Sequence, residues 1–68
     1  MMENLLLASI EAEISVIGGI LVSPIAFSEV SAIVGSGDFS KELHRRIFAA
    51  MAAMDAAGQP IEIGRAHV

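Results

Sequence analysis

Residues 9–24 read SIEAEISVIGGILVSP, and this stretch decides the fold class. Ser9 is a residue type whose side-chain oxygen accepts a free amide of a first helical turn. Glu11 and Glu13 follow where the helix dipole favours carboxylates. From there Ile10, Ile14, Ile17 and Leu21 recur at steps of four, three and four, one stripe of a helical period. Ser23-Pro24 closes the segment and opens the next. Serine is a good N-cap, and proline at the first helical position gives up an N–H that would be unpaired anyway. Glu11 and Glu13 lie two apart and point in different directions on a helix. They are therefore expected to be solvated first-turn carboxylates, not a paired acid–base site. Gly18 and Gly19 interrupt the helix interior at about 1 kcal/mol each against alanine, so close approach by another helix is expected there. A phosphate-cradling loop is excluded, since no strand precedes the pair and no GxxxxGK[ST] pattern surrounds it.

Working outward, PIAFSEVSAIV over residues 24–34 predicts a second helix with Phe27, Val30, Ile33 and Val34 on one side. Gly35 is expected to end it in the left-handed conformation, with Gly37-Asp38 continuing the turn. Ser40 is expected to cap a third helix with Glu42 in its first turn. Leu43, Ile47, Met51 and Met54 form its expected core stripe, supported by Phe48 and Ala50, while Lys41, Glu42, Arg45 and Asp55 face away. Gly58 stops this helix and Gln59-Pro60 turns the chain. Apart from the brief IEI at residues 61–63, no stretch alternates like a strand. The fold class is all-α: a small bundle of three amphipathic helices, packed as short antiparallel neighbours.

The chain has 68 residues, enough for one small domain that is marginal without a disulfide, metal or partner. It has no cysteine, so neither a disulfide framework nor a thiolate metal site exists. His44 and His67 are too far apart in sequence to suggest a metal site. Hydrophobic residues make up 54% of the chain, which excludes a disordered segment and leaves more apolar surface than so short a chain readily hides. With a net charge of −4, the chain is a poor candidate for gripping nucleic-acid phosphates on its own. The uncharged run at residues 14–27 falls short of the roughly 20 residues a spanning helix needs, and Pro24 breaks it. Glu3 stands where a signal peptide carries a basic residue, so a cytoplasmic placement is expected.

Residue chemistry points away from catalysis. His44 is flanked by Arg45 and Arg46, with no acid or nucleophile spaced to serve it, and reads as a helix-packing or surface residue. Ser15, Ser28, Ser31 and Ser36 lack a nucleophile-elbow context. No catalytic, cofactor-binding or metal-ligating residue is expected. Lys41, Arg45 and Arg46 form a short basic cluster read, in order of preference, as a salt-bridging face, a subunit contact or a partner patch. The chain reads as an interaction module.

Six features in order resemble one family. They are Ser9–Glu13, Ile17–Leu21, Ser23-Pro24, Asp38-Phe39, His44–Phe48 and the turn Gly58–Ile61. Together they look like the N-terminal domain of replicative DNA helicases of the DnaB type, over Ser9 to Glu62. Ile14 stands where that family usually has Gln, and LLLA precedes Ser9 where a proline-containing lead-in is common. The resemblance implies a parent protein that is a hexameric, ATP-driven 5′-to-3′ helicase. Its N-terminal domain helps build the ring's collar and recruit primase. ATP and magnesium belong to a separate C-terminal domain, so no nucleotide or catalytic residue carries over to these positions.

The organisation expected is a lead-in over residues 1–8, a partial helicase N-terminal domain over 9–62, and a non-native tail over 63–68. IGRAHV carries no helical stripe. It is the translation of ATC-GGA-AGA-GCA-CAC-GTC, which together with a following TGA stop forms part of a common short-read sequencing adapter. A truncated helicase N-terminal piece is thus the leading expectation. The alternatives are a free-standing regulator or decoy that binds helicase or primase, and a membrane-associated hairpin.

Overall fold

The computed structural model describes residues 7–62, so the tail at 63–68 lies outside the described residues. The cap at Ser9 forms as its sequence suggests. Its extended backbone lets Oγ accept the Ala12 amide at 3.1 Å, and helix α1 follows over Ile10–Val22. A 3-10 turn over Pro24–Ala26 leads into helix α2, Phe27–Ser31. A second 3-10 turn over Ser36–Asp38 leads into helix α3, Glu42–Ala56. The architecture is all-α, with no strand among the described residues.

The second stretch is shorter than its apolar pattern suggests. Pro24 opens a 3-10 turn, and the Val30 carbonyl accepts both the Ile33 and the Val34 amides at 2.9 Å, which tightens and ends α2. Val34 is buried while Ile33 is left outside. Gly35 is not left-handed, as its φ of −118° is ordinary extended backbone. Asp38 closes that turn instead, its Oδ2 accepting the Gly35 amide at 2.8 Å. The left-handed glycine is Gly58, at φ +73°. Its amide donates to the Asp55 carbonyl at 3.1 Å and the Gln59 amide donates to Met54 at 2.9 Å, a Schellman stop for α3.

The core holds Ile17, Ile20, Phe27, Val34, Phe39, Phe48, Met51 and Ile61. Phe48 is its pivot, its ring centroid 5.2 Å from that of Phe27 and 5.1 Å from that of Phe39. α1 is rotated from its expected stripe, and α3 departs from its own only in part. In α1 the buried row is Glu13, Ile17 and Ile20, while Ile14 is 55% exposed and Ile10 and Leu21 are also exposed. In α3 it is His44, Phe48 and Met51, with Ile47 and Met54 packed against the core as expected, while Leu43 is 62% exposed and Ala50 lies outside. Rows spaced four and three apart satisfy the helical period equally well in either rotation. What separates them is the polar residue at the head of each buried row.

One further expectation gives way. Nothing lies within 4 Å of a Cβ built on Gly18 or Gly19, so no helix of the described residues approaches them closely. Glu13 in the first turn of α1 bonds Ser40 and His44 at the start of α3, so these two helices meet start to start, as the first and third of three alternating helices do. The chain reverses between them, bending by 119° after α1. No single helix among the described residues is long and apolar enough to cross a membrane.

Candidate functional site: a buried carboxylate beneath an apolar groove

The start of α3 has free amides and no side-chain cap of its own. Lys41 occupies the N-cap position without a side-chain bond, and Ser40, the expected cap, sits one residue earlier. The missing acceptor comes from α1. Glu13 Oε2 accepts the Ser40 amide at 2.8 Å and the Ser40 hydroxyl at 2.7 Å, and Oε1 accepts from His44 Nδ1 at 2.7 Å. A carboxylate from one helix thus bonds the segment that leads into another, close to a helix start where the dipole favours negative charge.

Far from being solvated, Glu13 is 1% exposed. Its pKa falls from 4.5 to about 2. The His44 hydrogen bond is the largest cause. Burial opposes it, and the Ser40 amide and hydroxyl and the Lys41 amide add to the lowering. Arg45 locks the same loop from outside, its Nη1 donating to the Phe39 carbonyl at 2.8 Å and to the Ser40 carbonyl at 3.0 Å. The His44 ring also meets Phe39 edge-on, with centroids 6.4 Å apart. No buried side-chain nitrogen or oxygen among the described residues lacks a partner.

This order of groups builds structure. The Ser40 hydroxyl donates to the carboxylate and not to the imidazole, and a carboxylate whose pKa is lowered to about 2 is a weak base toward a hydroxyl. Among the described residues no three His, Asp or Glu side chains gather where they could hold a metal ion.

The node was readable in principle. Glu13 heads the row Glu13–Ile17–Ile20, and His44 heads His44–Phe48–Met51, both stepping by four and three. An acid and an imidazole at the heads of matching rows is the signal that these rows face each other.

The basic cluster is divided by the fold. Arg45 is taken up by backbone carbonyls. Arg46 pairs with Glu42 at 3.2 Å in an exposed i,i+4 contact, and Lys41 is exposed at the N-cap. Above the node, α1 and α3 enclose a groove of about 250 Å³. Ile14, Ile17, Gly18 and Leu21 form one wall, and Leu43, His44 and Ile47 the other. It is a hydrophobic, solvent-facing trough over a rigid polar base.

A family model described as the DnaB-like helicase N terminal domain matches residues 5–65. The replicative DNA helicase DnaB of Pasteurella multocida (strain Pm70) is 40% identical over 55 residues, which is 81% of this chain and 12% of that protein. The chain therefore spans about an eighth of the length of that curated relative. No solved structure matches it. With a family model covering nearly the whole sequence and an all-helical architecture in the described residues, this chain belongs to the DnaB-like helicase N-terminal domain family.

Proposed function

We propose that these residues are a non-catalytic interaction module of a replicative DNA helicase, acting in the cytoplasm to help assemble helicase subunits into a ring and to recruit primase. Membership of the helicase N-terminal domain family carries this reading. Two features agree with it. The polar groups of the node are consumed in holding two helix starts together, and the apolar side chains left over are gathered along one trough. ATP, magnesium and DNA would be handled by parts of a longer protein beyond this sequence. No nucleotide-cradling loop occurs within it.

The test is co-sedimentation of the purified 68-residue chain with a full-length DnaB-type helicase, with ATP hydrolysis measured in parallel. The expected result is association with helicase subunits at micromolar concentration and no hydrolysis by the chain alone. ATP turnover by the isolated chain, or failure to associate with helicase subunits or primase at tens of micromolar, would overturn the reading.

A further inference from the structure

The groove between α1 and α3 contains one polar atom that the fold does not use. His44 is 7% exposed and lines the trough. Its Nδ1 is bound to Glu13 Oε1 at 2.7 Å, while its Nε2 has no hydrogen-bond partner among the described residues. No fully enclosed side-chain nitrogen among those residues is left unpaired, so Nε2 still reaches open space. An ionised carboxylate only accepts, which keeps the proton of the shared bond on Nδ1 and fixes the ring's orientation. Nε2 is then an acceptor in neutral imidazole and a donor in imidazolium.

Around this atom the walls are apolar. Ile14 and Leu21 on α1 face Leu43 and Ile47 on α3, and His44 is the one polar side chain of the lining. Ile14 and Leu43 are each more than half exposed, so the slot is open from outside. Nothing lies within 4 Å of a Cβ built on Gly18, which leaves room along the α1 wall. The trough measures about 250 Å³. A dry cavity of about 150 Å³ holds benzene, so a single ring with a small substituent fits here. One polar group in an otherwise apolar slot is how small-molecule sites fix orientation. A hydroxyl both donates and accepts, so it satisfies Nε2 in either protonation state of the ring. The chain has no tyrosine, so neither it nor a second copy can supply a phenol.

The geometry points to the α1–α3 groove as a binding site for a small phenolic ligand, its ring between Ile14 and Leu43 and its hydroxyl on His44 Nε2. Glu13 is the positioning residue that holds the imidazole for it. The site stands apart from the interaction-module reading, which concerns protein partners.

Titration of the 68-residue chain with 4-methylphenol, followed by proton–nitrogen NMR of the histidine rings, tests the proposal. Saturable binding with a millimolar dissociation constant is expected, the range open to so few ligand atoms. The His44 Nε2 resonance should move, with the His67 ring as internal reference. The hydrocarbon para-xylene has the same shape without the hydroxyl and leaves Nε2 desolvated and unpaired. It should bind about tenfold more weakly although it is the more apolar molecule. Gly18→Leu, which fills the trough without touching the node, should abolish saturation with helix content by circular dichroism unchanged. Leu43→Ala, at an exposed position, should weaken binding as well. Absence of saturation up to tens of millimolar overturns the site. Equal binding of the two ligands with no movement of Nε2 overturns the histidine contact and the ligand class with it. Binding indifferent to both Gly18→Leu and Leu43→Ala overturns the groove as its location.

Discussion

Glu13 joins two helix starts, so its chemistry and the stability of the chain are coupled through pH. In the unfolded chain the carboxyl takes up its proton near pH 4.5, whereas in the folded chain it resists until about pH 2. Between those values the unfolded state binds more protons, so stability falls as the solution is acidified. The contribution is fully present above pH 4.5 and lost as pH drops through 2. Urea midpoints measured from pH 6 to pH 2 should show this decline, and Glu13→Gln should flatten it while lowering stability at neutral pH. An equally steep acid dependence in Glu13→Gln would show that another group is responsible. Ser40→Ala removes one charge-assisted bond and keeps the amide contact, so it should cost about 1.5 kcal/mol, less than Glu13→Gln. Gly58 is a conformational matter alone. A Cβ there meets nothing within 4 Å, but φ is +73°, so Gly58→Ala should destabilise by about 1 kcal/mol in a thermal melt.

At the scale of an element, α1 carries a glycine pair that its own fold does not use. With open space at both Cβ positions, Gly18→Ala should stabilise the isolated chain by up to about 1 kcal/mol through helix propensity. A rise in melting temperature checks this, and a fall would reveal a contact on Gly18 within the folded chain. The same element shows why a stripe count is ambiguous. Ile10–Ile14–Ile17–Leu21 and Glu13–Ile17–Ile20 share Ile17 and are neighbouring rotations of one helix. Hydrophobicity alone favours the first. The second wins because a carboxylate buried there meets the Ser40 amide, the Ser40 hydroxyl and the His44 ring together, satisfying several polar groups at once. The displaced isoleucines and leucines then become the groove.

At the scale of the whole molecule, the core is small and centred on three phenylalanines. Phe48 touches both of the others, and truncation to alanine in such a position costs about 3–5 kcal/mol, comparable to the whole stability available to a chain this short. Phe48→Ala should therefore be largely unfolded at 25 °C by circular dichroism. A cooperative melt well above that temperature would mean a larger core than the described residues show.

Much of this was legible along the chain. The Ser9 cap, the proline at the first turn of the second segment, the Gly58 stop and the all-helical class each follow from local chemistry, because a cap or a left-handed glycine acts within a few residues of itself. The family was legible too, through six short features in order. The side of each helix that faces inward was not. It depends on a hydrogen bond between residues 31 positions apart, Glu13 and His44, and on an amide at Ser40 that only the folded chain brings within reach. Periodicity determined that α1 and α3 would be amphipathic. The tertiary structure alone decided which row to bury, because matching an acid to a histidine and a free helix start outweighs burying one more isoleucine.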